Sequence, residues 1–155
     1  MILLYPFMAI GSLATTLISI LFFNWWVVLF ADANGNLPRW LSYFQTFDAP
    51  IPKGYLNGVK WLMRNPAYGF DYYVFGLRWN PSDWTIERFE ADENRVLFLA
   101  TNKNGGFNFY YLGKYGMYKF GWKVWNDFTG TKLNSRFGDG SHIPICFSVN
   151  PFKHS

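Results

Sequence analysis

The chain has 155 residues, with 14 Lys and Arg against 10 Asp and Glu for a net charge of +4, and it carries 17 Phe, 10 Tyr and 8 Trp. A chain of this size suits one small domain rather than two, and so high an aromatic content excludes an intrinsically disordered body. The single cysteine, Cys146, excludes an intramolecular disulfide and fits a reduced cytoplasmic setting, while the mildly positive balance favours contact with anionic lipid or phosphate.

Residues 1–31 contain no Asp, Glu, Lys or Arg and read as a transmembrane anchor. About twenty apolar residues rising about 1.5 Å each span the roughly 30 Å hydrocarbon layer, and the spanning portion is expected over residues 13–30. A cleaved signal peptide is the alternative, since Ala31, Asp32 and Ala33 form an A-x-A pattern. Against it stand the absence of a preceding Lys or Arg, the length of the run and the bulky pair Trp25 and Trp26 near its end. Tyr5, beside Pro6, is expected at one membrane interface, and Trp25 and Trp26 near the other.

Gly11, Ser12, Thr15, Thr16 and Ser19 fall at helical spacings, giving a small, slightly polar face. Two readings stay open there: a surface for helix pairing and oligomerisation, or small residues facing lipid with their hydroxyls bonded to the preceding turn. The basic residues beyond the anchor, Arg39, Lys53, Lys60 and Arg64, point to a single-pass protein with a cytoplasmic body.

Residues 32–94 read as an aromatic, mainly helical and loop region. After the turn-rich Ala33-Asn34-Gly35-Asn36-Leu37-Pro38, the residues Trp40, Leu41, Tyr43, Phe44 and Phe47 suit a short amphipathic helix. It either lies on the membrane surface, with Trp40 as an interfacial anchor, or packs into the core. Pro50 and Pro52 break it, residues 55–64 form another helix ending before Asn65-Pro66, and residues 69–76 suit helix or strand. From Asp83 to Glu93 lie five acids, Asp83, Glu87, Glu90, Asp92 and Glu93, against Arg88 alone. They show no calcium-loop spacing and no nearby histidine, so they read as solvated surface.

Residues 95–155 read as the antiparallel β region of the same domain. Residues 96–100 and 107–112 flank Asn102-Lys103-Asn104-Gly105-Gly106, a hairpin connection. Residues 118–125 alternate as a half-buried strand, and residues 143–149 supply a fourth. The fold class is therefore α+β, a single N-terminal transmembrane helix followed by a small aromatic-rich domain with short helices and an antiparallel sheet.

Lys114, Lys119 and Lys123 interleave with Tyr115, Tyr118, Trp122 and Trp125. Lys114, Lys119, Lys123 and Trp125 are thus candidate contacts for an anionic ligand, a lipid headgroup or a phosphate, although a strand with a solvated lysine face explains the same pattern. Nucleic acid has no motif to support it. His142, Cys146 and His154 fit no zinc spacing, and Gly138-Asp139-Gly140-Ser141 lacks the Lys-Ser/Thr element of a phosphate loop. No catalytic residue, cofactor or metal is expected, and Cys146 reads as a buried inert thiol.

At Leu37-Pro38-Arg39-Trp40-Leu41, Phe44-Gln45-Thr46-Phe47-Asp48, Arg64-Asn65-Pro66-Ala67-Tyr68-Gly69-Phe70 and Phe75-Gly76, and more faintly at Phe120-Gly121-Trp122-Lys123 and Ser148-Val149-Asn150-Pro151-Phe152, the chain resembles small uncharacterised proteins of tailed bacteriophages and prophages. The resemblance implies viral origin and a membrane-protein class, and no role for any residue. The expected function is a non-enzymatic protein at the host inner membrane, acting through lipid contacts or contacts with a host-envelope or phage protein. The alternative is a minor virion or DNA-ejection component whose apolar N-terminus is an assembly interface. An enzyme using the acidic cluster on lipid or cell-wall substrates is a weaker third.

Overall fold

The structure, a computed structural model, describes residues 2–46, 49–126, 133–134 and 141–154. Its first element is a continuous N-terminal helix, Ile2–Phe30, whose most apolar stretch has a mean hydropathy of 2.0, long and apolar enough to cross a membrane. Within it run α1 (Tyr5–Ile18), a π-helical segment (Ser19–Phe23) and α2 (Asn24–Val27), with 3-10 turns at either end. A 3-10 stretch at Arg39–Phe44, then α3 (Tyr55–Arg64) and α4 (Tyr68–Tyr73), complete the helical half. The run from Gly69 to Gly76, ambiguous in sequence, is thus mostly helical.

The remaining chain is antiparallel. Strands β2 (Trp84–Ala91), β3 (Val96–Asn102), β4 (Phe107–Gly113), β5 (Gly116–Trp122) and β9 (Ile145–Asn150) form one sheet in the order β2-β3-β4-β5-β9. Two short pairs accompany it: β1 (Leu77–Arg78) with β8 (His142–Ile143), and β6 (Trp125–Asn126) with β7 (Leu133–Asn134). The fold is α+β, as the sequence pattern indicates. The hairpin between β3 and β4 falls where the Asn and Gly residues placed it, with Gly105 at φ +82°.

Strand content begins with the two-residue β1 at Leu77, and the main sheet begins at Trp84, well before residue 95. The register between β2 and β3 shifts between Ile86 and Arg88, so the apolar positions Trp84, Ile86 and Phe89 lose their two-residue period. That bulge hid the strand inside what read as a run of solvated acids. The alternation expected across residues 118–125 is likewise interrupted. Gly121 sits at φ +96°, and a Cβ there would stand 2.0 Å from the Phe107 carbonyl oxygen, so the kink in β5 requires glycine.

Two apolar clusters hold the body together. One gathers Trp84, Phe98, Ala100, Trp122, Val124, Ile143 and Ile145 with Tyr5 of the N-terminal helix. The other gathers Leu37, Leu41, Ile51, Val59 and Leu62 with Val27 and Val28 from the far end of that helix. Each core is therefore completed by the segment that the sequence presents as a separate anchor.

Candidate functional site: the two faces of the N-terminal helix

An α-helix brings residues three and four apart onto one face, and the Ile2–Phe30 helix uses that geometry in an inverted sense. The stripe turned toward the body carries Tyr5, Ser12, Thr16, Ser19, Asn24, Val27 and Val28. The opposite stripe carries Leu3, Phe7, Ile10, Leu17, Leu21, Trp25 and Leu29, all exposed, with Leu3 at 86%, Leu21 at 64% and Leu29 at 68% of full accessibility. Only 22% of the most apolar stretch is buried. In a water-soluble protein the apolar stripe faces the core and the polar one faces solvent. Here Ser19 and Asn24 on the inner stripe are buried and Ser12 and Thr16 half-buried, and the large aliphatic and aromatic residues look outward.

The π segment makes this division continuous. The Asn24 backbone N–H donates to the Ser19 carbonyl, five residues back, which inserts one residue and rotates the following turn. Asn24 consequently points inward alongside Ser19. Ser19 Oγ donates to Asn24 Oδ1 at 2.7 Å, and Asn24 Nδ2 donates to the Leu62 carbonyl of α3 at 3.0 Å. Both residues are fully buried, so the amide's hydrogen bonds offset its desolvation and clamp the helix to α3.

Under the middle of the helix lies a cavity of about 310 Å³ lined by Ser12, Leu13 and Thr16 from α1, Tyr68 and Asp71 from α4, Lys119 and Lys123 at β5, and Cys146 and Ser148 from β9. Burial, partly opposed by a hydrogen bond from Ser12, pushes the Asp71 carboxyl up to about 6. Its Oδ1 is enclosed and has no hydrogen-bond partner among the described residues. Lys123 Nζ donates to the Tyr68 hydroxyl at 3.3 Å, and Lys119 Nζ stands 5.2 Å from the Tyr110 ring centroid. Burial draws the Lys119 ammonium below its usual range and pushes the Cys146 thiol up to about 12, so that thiol stays protonated at neutral pH.

Asp71 gives this cavity a measurable pH signature. Its folded-state value lies above the unfolded 3.8, so its favourable contribution is complete below about 3.8 and is lost as pH rises through about 6. Asp71→Asn should therefore be more stable than the parent chain at pH 7.5, by at most about 3 kcal/mol, with the gap narrowing to about 1 kcal/mol at pH 4.5. Denaturant unfolding of both chains in mild detergent at the two pH values measures it. A gap that does not change with pH would contradict the burial of this carboxyl.

A family model described as a family of unknown function, DUF7338, matches residues 1–155. The chain belongs to the DUF7338 family. No curated protein and no solved structure matches it.

In this DUF7338 chain the residues singled out from sequence fall into three groups. Tyr5, expected at a membrane interface, is buried instead. Its hydroxyl donates to the Cys146 carbonyl at 2.7 Å and its ring meets the edges of Phe107 and Trp122, because the sheet core reaches the first turn of α1. Trp25, Trp26 and Trp40 are exposed, and Trp40 stands edge-on to Phe30, extending the apolar surface beyond the end of the helix. Of the Arg39–Phe44 stretch, Leu41 faces the core while Trp40 and Tyr43 are exposed, so the core-packing reading of that segment holds for Leu41.

The small face is turned inward. A Cβ on Gly11 would meet the Phe75 ring at 2.9 Å, Thr15 Oγ1 donates to the Ser12 carbonyl at 2.9 Å, and Ser19 is bonded to Asn24. That face packs in part against the protein's own α4 and sheet. Lys119 and Lys123 share the cavity, whereas exposed Lys114 lies 4.7 Å from the Tyr115 ring centroid, and the Trp125 side chain lies outside the described residues. In the acidic run, Glu90 pairs with Arg88 and Arg95, and Asp83, whose side chain is only 13% exposed, pairs with Lys103. No group of three metal-ligating side chains occurs among the described residues.

Sequence reasoning missed Asp71 and Asn24. Asn24 had a signal, being the one amide within an otherwise apolar run. Asp71 had none, because its neighbours Phe70, Tyr72 and Tyr73 say nothing about the helix packed over it.

Proposed function

We propose that this chain is a non-enzymatic, membrane-embedded protein whose N-terminal helix sets its outer stripe into a lipid bilayer while the body engages a partner at the membrane surface. The observation that carries the reading is the inverted amphipathicity of the Ile2–Phe30 helix, whose polar side chains are turned inward and whose large apolar ones are turned outward. An exposed apolar strip of this length is unfavourable in water and suits hydrocarbon. Exposed Arg39, Lys53, Lys60 and Arg64 follow the helix in sequence and favour the cytoplasmic side, where anionic lipid collects. The resemblance to phage proteins supports placing that membrane in an infected bacterium.

The test is carbonate extraction of bacterial membranes containing the full-length chain, together with flotation of the purified chain on phosphatidylethanolamine and phosphatidylglycerol vesicles. Retention in the pellet and comigration with vesicles are expected. Release into the supernatant and absence from the floating fraction would overturn the reading, and the apolar strip would then be an assembly surface of the kind a virion component needs.

A further inference from the structure

The N-terminal helix, 29 residues rising about 1.5 Å each, measures about 43 Å, which exceeds the roughly 30 Å hydrocarbon layer. Length therefore leaves its direction open. We infer that the helix lies flat in one leaflet rather than crossing the bilayer, with its outer stripe at the acyl boundary and the body resting over it on one side. This rests on the membrane reading above and adds the geometry of insertion.

Three observations carry it. First, one body grips the helix at both ends and in the middle. Tyr5 bonds the Cys146 carbonyl of β9 at 2.7 Å, Gly11 abuts Phe75, Asn24 bonds the Leu62 carbonyl of α3 at 3.0 Å, and Val28 closes on Gly58 in the second core. A crossing helix would have to draw the sheet, α4 and α3 into the bilayer with it.

Second, the ionisable groups sit at the wrong depth for crossing. Asp71, Lys119 and Lys123 line the cavity with Ser12, Leu13 and Thr16, which occupy the midpoint of the helix. Crossing would bring a carboxylate and two ammonium groups to the bilayer centre, the most expensive depth for charge. In a flat arrangement the same groups lie on the far side of the helix from the lipid.

Third, the outer stripe is apolar along its whole length. Leu3 and Leu29 near its two ends are as exposed as Leu21 between them, whereas a crossing helix presents polar or charged residues where it leaves the hydrocarbon. An interfacial helix has one apolar face for lipid and one polar face for water, and here the body covers the second. The lipid occupant suits the charges as well, since Arg39, Lys53, Lys60 and Arg64 are all exposed and complement anionic headgroups.

The test places single spin labels on the outer stripe through Leu3→Cys, Leu17→Cys and Leu29→Cys in a Cys146→Ala background. Power saturation with oxygen and an aqueous nickel complex then reads the depth of each label in phosphatidylethanolamine and phosphatidylglycerol vesicles. All three positions are exposed, so the fold tolerates them. A flat helix puts all three labels at one depth, within about 5–10 Å of the headgroup boundary. A label at Leu17 much deeper than those at Leu3 and Leu29 would overturn the flat geometry while leaving membrane embedding intact. Labels that remain reachable by nickel when vesicles are present, or that are shielded by self-association without vesicles, would overturn the membrane reading itself.

Discussion

Trp122→Ala is expected to destabilise the fold by about 3–5 kcal/mol, the range for removing a fully buried large aromatic. The indole is 0% exposed and stands where the N-terminal helix meets the sheet. Tyr5 and Phe107 present their rings to it at 5.7 and 6.1 Å, and its Nε1 donates to the Phe75 carbonyl at 2.9 Å. Truncation leaves a cavity among aromatic neighbours that cannot collapse into it, and it strips a hydrogen bond from the segment joining α4 to β1. Denaturant unfolding in mild detergent measures the loss, with Trp40→Ala as the contrast. Trp40 is 64% exposed, so its truncation should change stability by no more than about 0.5 kcal/mol. Similar losses for the two variants would contradict the core assignment.

The largest functional effect should come from charging the outer stripe. Leu17→Glu combined with Leu21→Glu places two carboxylates on the exposed face at mid-helix, where neither side chain belongs to either core. Folding in detergent should be preserved, since both positions already face away from the body. Membrane affinity should fall on the order of a hundredfold, because two carboxylates brought to the acyl boundary cost about 3 kcal/mol together and tenfold corresponds to about 1.4 kcal/mol. Flotation against vesicle concentration reads the change. Unaltered flotation with an intact near-ultraviolet circular dichroism spectrum would mean that lipid meets some other surface.

These two variants mark what sequence could and could not reveal. The uncharged run of residues 1–31, the hairpin of β3 and β4 and the helix at Tyr55–Arg64 were legible because each rests on local signals: absent charge, glycine-rich turns and a pre-proline stop. The β2 strand was not, since its bulge destroys the two-residue period that identifies a strand. The role of the apolar helix was only half legible. Hydropathy averages around the helix and cannot say which stripe is covered, so Tyr5 read as an interfacial anchor and the Ser and Thr face read equally as open to a partner helix or as turned to lipid. Tyr5 instead bonds a strand 141 residues away, and Ser19 of that face meets Asn24, whose amide bonds a carbonyl 38 residues away. Lys119 and Lys123 were visible as a basic pattern, but their union with Asp71 and Ser12 depends on tertiary packing that no spacing rule encodes.

The most direct measurement is photolabelling of the full-length chain in vesicles by a carbene reagent confined to the acyl region, with modified residues mapped by mass spectrometry. The account predicts adducts at Leu3, Phe7, Ile10, Leu17, Leu21 and Leu29, and none at Ser12, Ser19 or Asn24. Adducts confined to the body, or spread evenly over both stripes of the helix, would contradict it.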